Sequence, residues 1–166
     1  TNLEWMYLLG EFGANVCGQT LTLTDKPDRL VLDDLTRQGL PFYTGNTRYL
    51  FHIAFDRDME HVCVRVPHTA ASVIRIFLDG VSIGVTAWQP YRVQLPPLCA
   101  GKHLLEVLAY GNRYNAFGTL HNANPDYKWY GPAAYRTTGD EWTDCYRLRP
   151  SGIQSPIELE EAQECI

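Results

Sequence analysis

Apolar side chains recur at every second position in one short segment after another of this 166-residue chain. In "TRYLFHIAF" (47–55), Tyr49, Phe51, Ile53 and Phe55 fall on one face, and Arg48, Leu50, His52 and Ala54 on the other. "HVCVRVP" (61–67) groups Val62, Val64 and Val66, and "SVIRIFLDG" (72–80) opposes Val73, Arg75 and Phe77 to Ile74, Ile76 and Leu78. A period of two is that of a strand whose successive side chains point to opposite sides of a sheet. "EWMYLLGEF" (4–12), "LTLTD" (21–25), "YRVQLP" (91–96), "HLLEVLAYG" (103–111) and "WTDCYRL" (142–148) extend the series. Turn residues punctuate it: "DRDME" (56–60) reads as a hairpin connection, Asp79-Gly80 as a tight reversal, and "LPPLCAGKH" (95–103) as a loop. Short strands about 8–12 residues apart with such turns predict an all-β, antiparallel sandwich or barrel. A short helix within 28–39 is the one helical expectation inside this domain. Residues 1–156 form one domain, and 157–166 read as a tail that ends in a helical turn or frays.

Composition narrows the function classes. Hydrophobic residues make up 45% of the chain, enough for a real core. The net charge of −5 and the scattered Lys and Arg argue against nucleic acid, which selects a clustered basic patch. No apolar run reaches the roughly 20 residues that span a bilayer, so no membrane partner is expected. No signal peptide is visible, and a start at Thr1 suits either a mature product or an excised piece. The five cysteines include no CxxC pair, which argues against a zinc site. They read as reduced structural thiols, a weak pointer to the cytoplasm, with a Cys17–Cys145 disulfide as the alternative.

Residues 111–132, "GNRYNAFGTLHNANPDYKWYGP", have neither a strand's alternation nor a helix's stripe. A loop this long in a small domain is functional or disordered.

Three segments together carry a resemblance: "QGLPFYTGNTRYLF" (38–51), "VIRIFLDGVSIGVTAWQPYRVQLPPLCAGKHLLEVLAYGNRYNAFGTLHN" (73–122) and "WYGPAAYRTTGDEWTDCYRLRPSGI" (129–153). The middle one resembles the galactose-binding-like jelly-roll accessory domain of large glycoside hydrolases of the beta-galactosidase and alpha-L-rhamnosidase types. Its Asp-Gly turn, its aromatic-Pro-Tyr element and the Asn115, Gly118, His121 pattern carry the likeness. Asp79 stands where similar domains often have Asn, and Thr119 near where they have Pro. The resemblance implies a jelly-roll sandwich from a larger bacterial carbohydrate-active protein and an ordered 111–132 loop. It implies no particular sugar. Because such sandwiches often hold a structural calcium, one is conceivable, although no EF-hand pattern appears; no other cofactor is expected.

Sugars are held by aromatic planes under an apolar ring face and by amides, acids and arginines on the hydroxyls. The candidate set here is Asn112, Tyr114, Asn115, His121, Trp129, Tyr130 and Arg136, with Trp88 and Tyr91 from another connection. For any one aromatic, packing within the loop is the competing role, and His121 reads more readily as a hydrogen-bonded structural residue. Phe42 and Tyr43 fit core anchoring or contact with a neighbouring domain. The leading expectation is therefore a non-catalytic, carbohydrate-binding-like accessory domain. The second is an interaction module docking on a catalytic domain of the same protein, without binding free sugar. A free-standing glycan-processing enzyme comes third: among Glu11, Asp33, Asp34, Glu106, Asp126, Asp140 and Glu141, no two acids are convincingly placed across a glycosidic bond.

Overall fold

The computed structural model describes residues 6–126 and 131–161. Among them nine strands follow in chain order: β1 (Gly13–Cys17), β2 (Thr20–Thr24), β3 (Thr47–Phe55), β4 (Val62–Arg65), β5 (Val73–Leu78), β6 (Val81–Thr86), β7 (Arg92–Gln94), β8 (Gly101–Tyr110) and β9 (Glu158–Glu161). Every pairing between them is antiparallel. One sheet has the order β3-β8-β5-β6 and a second β7-β4-β9, while β1 and β2 form a separate hairpin.

The alternation explains how the two larger sheets meet. Val62 and Val64 of β4, Ile74, Ile76 and Leu78 of β5, and Leu105, Val107 and Ala109 of β8 are buried in one core, with Val93, Leu95 and Leu98. Inward-facing side chains from two stacked sheets make a β-sandwich. Tyr49, Phe51, Ile53 and Phe55 lean on the same core but stay half-buried, because β3 is an edge strand.

Asp79 and Gly80 link β5 to β6 with φ values of 50° and 83°. Two positive values in a two-residue loop match the right-handed twist of the flanking strands. Asp79 also ties the turn to β8. Its Oδ1 accepts the Leu104 amide at 2.8 Å, and its Oδ2 lies 2.7 Å from His103 Nδ1. His103 Nε2 faces the Cys99 carbonyl at 2.9 Å. With an acceptor at each ring nitrogen, the imidazolium is the favoured form. The hydrogen bond to Asp79 is the main cause of the upward shift of His103, and the same bond chiefly holds Asp79 down. The raised His103 contributes stability below its ordinary value of 6.5, lost as pH rises through the shifted one. The lowered Asp79 contributes above its ordinary 3.8, lost as pH falls through its shifted value. The lock is thus complete between those two ordinary values. We expect His103 to titrate above 6.5 by NMR, and His103→Gln to flatten the fall in melting temperature on the alkaline side. An unshifted His103 in the folded protein would refute the lock.

Several expectations from the sequence need correction. Residues 6–12 form no strand: Met6, Leu8 and Leu9 are exposed and β1 starts only at Gly13. A hydrophobic run without strict alternation gains no buried face by pairing. "DRDME" is not a hairpin turn. It crosses from β3 in one sheet to β4 in the other, with Met59 and Leu98 exchanging both backbone hydrogen bonds at 2.8 Å on the way. Residues 142–148 form no strand either. The amides of Thr143 and Arg147 donate to the adjacent carbonyls of His121 and Leu120, while that of Tyr146 donates to Gly18, so the segment is divided between two stretches of chain and forms no continuous ladder. The short helix within 28–39 is one 3-10 turn, Leu35–Arg37, capped by the Asp34 carboxylate. Of the tail, residues 158–161 are β9 rather than a helical turn, and 162–166 lie outside the described residues. Cys17 and Cys145 are both outside any disulfide, so the Cys17–Cys145 bridge is not formed; Cys165 lies outside the described residues.

Residues 151–154 are laced into the fold from several sides. Leu35 N donates to the Ser151 carbonyl at 3.1 Å, and Gln154 N to the His68 carbonyl at 2.9 Å. The buried Ile153 amide donates to Tyr49 Oη at 3.1 Å. Burial is the main cause of the upward shift of the Tyr49 phenol.

Candidate functional site

After β8 the chain leaves the sheet and makes a single helical turn, α1 (Tyr114–Phe117). Asn112 starts it, with Oδ1 accepting the Tyr114 amide at 3.0 Å. Asn115 is buried, and its amide group grips the backbone of Arg149: Nδ2 donates to the carbonyl at 2.7 Å and Oδ1 accepts the amide at 2.9 Å. Arg149 lies over the Tyr114 ring, 3.8 Å from its centroid. Asn122 is buried too, donating to Thr119 Oγ1 at 2.9 Å. Asn115 thus stitches the loop to Arg149, while Asn112 and Asn122 bond within the loop, meeting the demand that buried polar groups find partners. The described part of the loop, residues 111–126, is ordered by these bonds.

Beside α1 is a cleft of about 560 Å³, bordered by the 7–9 segment, Phe42, residues 115–121, 134–136 and Tyr146. Its aromatics pack on one another. Tyr7 and Phe117 have ring centroids 5.1 Å apart, Phe42 and Tyr146 5.7 Å, and His121 and Tyr146 4.7 Å. His121 Nδ1 faces the Thr143 carbonyl at 3.0 Å, which calls for the proton on that nitrogen. Tyr135 Oη donates to the Phe117 carbonyl at 3.1 Å. Arg136 donates through Nε to the Ala133 carbonyl at 2.8 Å and pairs with Glu141. Among the described residues lining the cleft there is no carboxylate.

The nine sequence candidates divide accordingly. Asn115, His121 and Arg136 line the cleft, although the Asn115 amide is already committed to Arg149. Asn112 and Tyr114 support α1 from outside it. Tyr91 packs against the core and does not reach the rim, and its carbonyl accepts the Val66 amide. Trp88 lies in the β6–β7 connection, 77% exposed and away from the cleft. Trp129 and Tyr130 lie outside the described residues. Sequence reasoning missed Tyr7, Leu8, Leu9, Phe117, Tyr135 and Tyr146 as cleft residues. The failed strand at 6–12 was the available signal, because its apolar residues lacked a pairing partner. Among the described residues, no three His, Cys, Asp or Glu side chains gather as metal ligands.

No protein-family model matches the chain, and no curated protein sequence matches it. Solved structures do. A rhamnosidase from Novosphingobium sp. PP1Y matches with a TM-score of 0.54 at 15% identity, over 96% of this chain and 16% of that one. A GH2 beta-galacturonidase from Eisenbergiella tayi, solved bound to glycerol, matches with a TM-score of 0.44 at 17% identity, over 90% of this chain and 22% of that one. The rhamnosidase likeness is one of fold: the chain resembles a β-sandwich domain of a glycoside hydrolase and spans 16% of that protein's length.

Proposed function

We propose that the chain is a non-catalytic accessory β-sandwich of a glycoside hydrolase-type protein, and that its cleft receives apolar side chains from the neighbouring part of that protein. The lining of the cleft carries this reading: aromatic and aliphatic walls, with Asn115 turned onto the backbone of Arg149 and the nearby Asn122 onto the Thr119 hydroxyl. An apolar concavity on a domain surface fits a protein contact better than a hydroxyl-rich ligand. Glycosidase chemistry needs two facing carboxyl groups, and the described lining offers none.

The test compares the chain with one lengthened into its natural neighbour. The longer form should melt at a higher temperature, and Leu9→Asp in the cleft should remove that gain while leaving the short form almost unchanged. No gain on lengthening would refute docking. Binding of free sugar at the cleft is the second reading, favoured by the aromatic walls and the Arg136–Glu141 pair, in a volume suited to a small ligand. It expects a glycan-array signal that Tyr135→Ala and Arg136→Ala both abolish; silence from the parent chain removes it.

A further inference from the structure

β9 is an unusual strand by composition, Glu158-Leu159-Glu160-Glu161, since acids are depleted in sheets. It nevertheless pairs in register with β4, from Val62 opposite Glu161 to Arg65 opposite Glu158. Its acids meet arginines from three segments. Arg65 Nη1 lies 2.8 Å from Glu158 and 3.3 Å from Glu160, Arg92 pairs with Glu160, and Arg57 Nη2 lies 3.4 Å from Glu161. Little apolar surface supports the strand. Leu159 remains 39% exposed, and Ile157, just before it, leans on the core. A backbone ladder and an arginine cluster therefore do most of the holding.

We infer that the β4 edge, with Arg57, Arg65 and Arg92 around it, is a binding surface for an acidic extended strand, filled here by the chain's own residues 158–161 and open to exchange for an acidic strand from another protein. β7 covers the other side of β4, so this edge alone receives the strand. In strand addition, main-chain hydrogen bonds give affinity and side chains at alternate positions select the partner. Here the selecting side chains are cationic. Partly exposed ion pairs are individually weak and screened by salt, which makes the occupant replaceable.

Cys63 reports occupancy. It lies on β4 opposite Gln94 of β7 and Glu160 of β9, and its thiol donates to Gln94 Oε1 at 3.2 Å. It is only 1% exposed beneath these neighbours, so departure of β9 uncovers it. The test is timed alkylation of the whole chain with iodoacetamide, read at Cys63 by mass spectrometry. The triple variant E158Q/E160Q/E161Q should label about tenfold faster, the scale of several weakened exposed ion pairs. An excess of the peptide SPIELEE, residues 155–161, should restore protection, whereas SPIQLQQ should not. Unchanged labelling in the variant, or equal protection by both peptides, overturns the inference. If the triple variant loses its cooperative melting, Arg65→Gln takes its place. It should raise labelling that SPIELEE does not reverse, and a reversal there also overturns the inference.

Discussion

Gly152→Ala should destabilise the chain by about 3–5 kcal/mol, the sum of a strained left-handed backbone and an overpacked contact. Gly152 has φ of 83°, and a β-carbon there would lie 2.8 Å from Leu35 Cγ and 2.8 Å from Tyr49 Oη. Neither neighbour can retreat freely. Leu35 is buried, and Tyr49 Oη accepts the Ile153 amide. Pushing the phenol away would also leave that buried N–H without a partner, a further loss of about 1–3 kcal/mol if it is not re-satisfied. Chemical denaturation measures the effect directly, and a loss below about 1 kcal/mol would show that the junction relaxes cheaply. A cycle with Leu35→Ala separates the causes. The smaller side chain should relieve the Leu35 share of the steric penalty and leave the Tyr49 contact and the backbone part intact.

Leu105→Ala should cost about 2–5 kcal/mol, the usual range for emptying a close-packed core site. Leu105 is 1% exposed on β8, the strand paired on both sides within the four-stranded sheet, so its neighbours have little freedom to fill the space. Leu50→Ala on β3 is the matched control: Leu50 is 56% exposed and should change stability by no more than about 0.5 kcal/mol. Equal effects at the two positions would mean that the outer face of this sheet is not solvated as the fold places it.

The fold was readable where burial is one-sided. The alternation in 47–55 and 72–80 grouped Tyr49, Phe51, Ile53 and Phe55, and Ile74, Ile76 and Leu78, each on one face, and the structure turns those faces to the core, because a strand with one dry face must write its period into sequence. The same logic failed for 142–148, whose backbone partners are divided between Gly18 and residues 120–121. It failed for β9, whose pairing rests on charges supplied by Arg57, Arg65 and Arg92 rather than on its own pattern. In the candidate site, the sequence left open whether the loop's polar residues meet a ligand or pack the loop, and the Asn115 amide is spent on the backbone of Arg149. An Asn that recognises a ligand and one that staples a loop are the same residue until the backbone of Arg149 arrives beside it. The cleft walls contributed by the 7–9 segment, Phe42 and Tyr146 come together only in three dimensions.

The pairing of β3 with β8 also governs how the chain assembles. Thr47 lies opposite Ala109 and Phe55 opposite Gly101, so β3 finds its partner only after all the intervening strands have been made. Closing so large a loop before any reward is collected slows folding, as in other proteins dominated by distant pairings. During synthesis, the aromatic face of β3 waits without its ladder while the rest of the sheet emerges. That interval is when the nascent chain is most exposed to aggregation, and binding by a chaperone at residues 47–55 would shield that face until β8 has emerged.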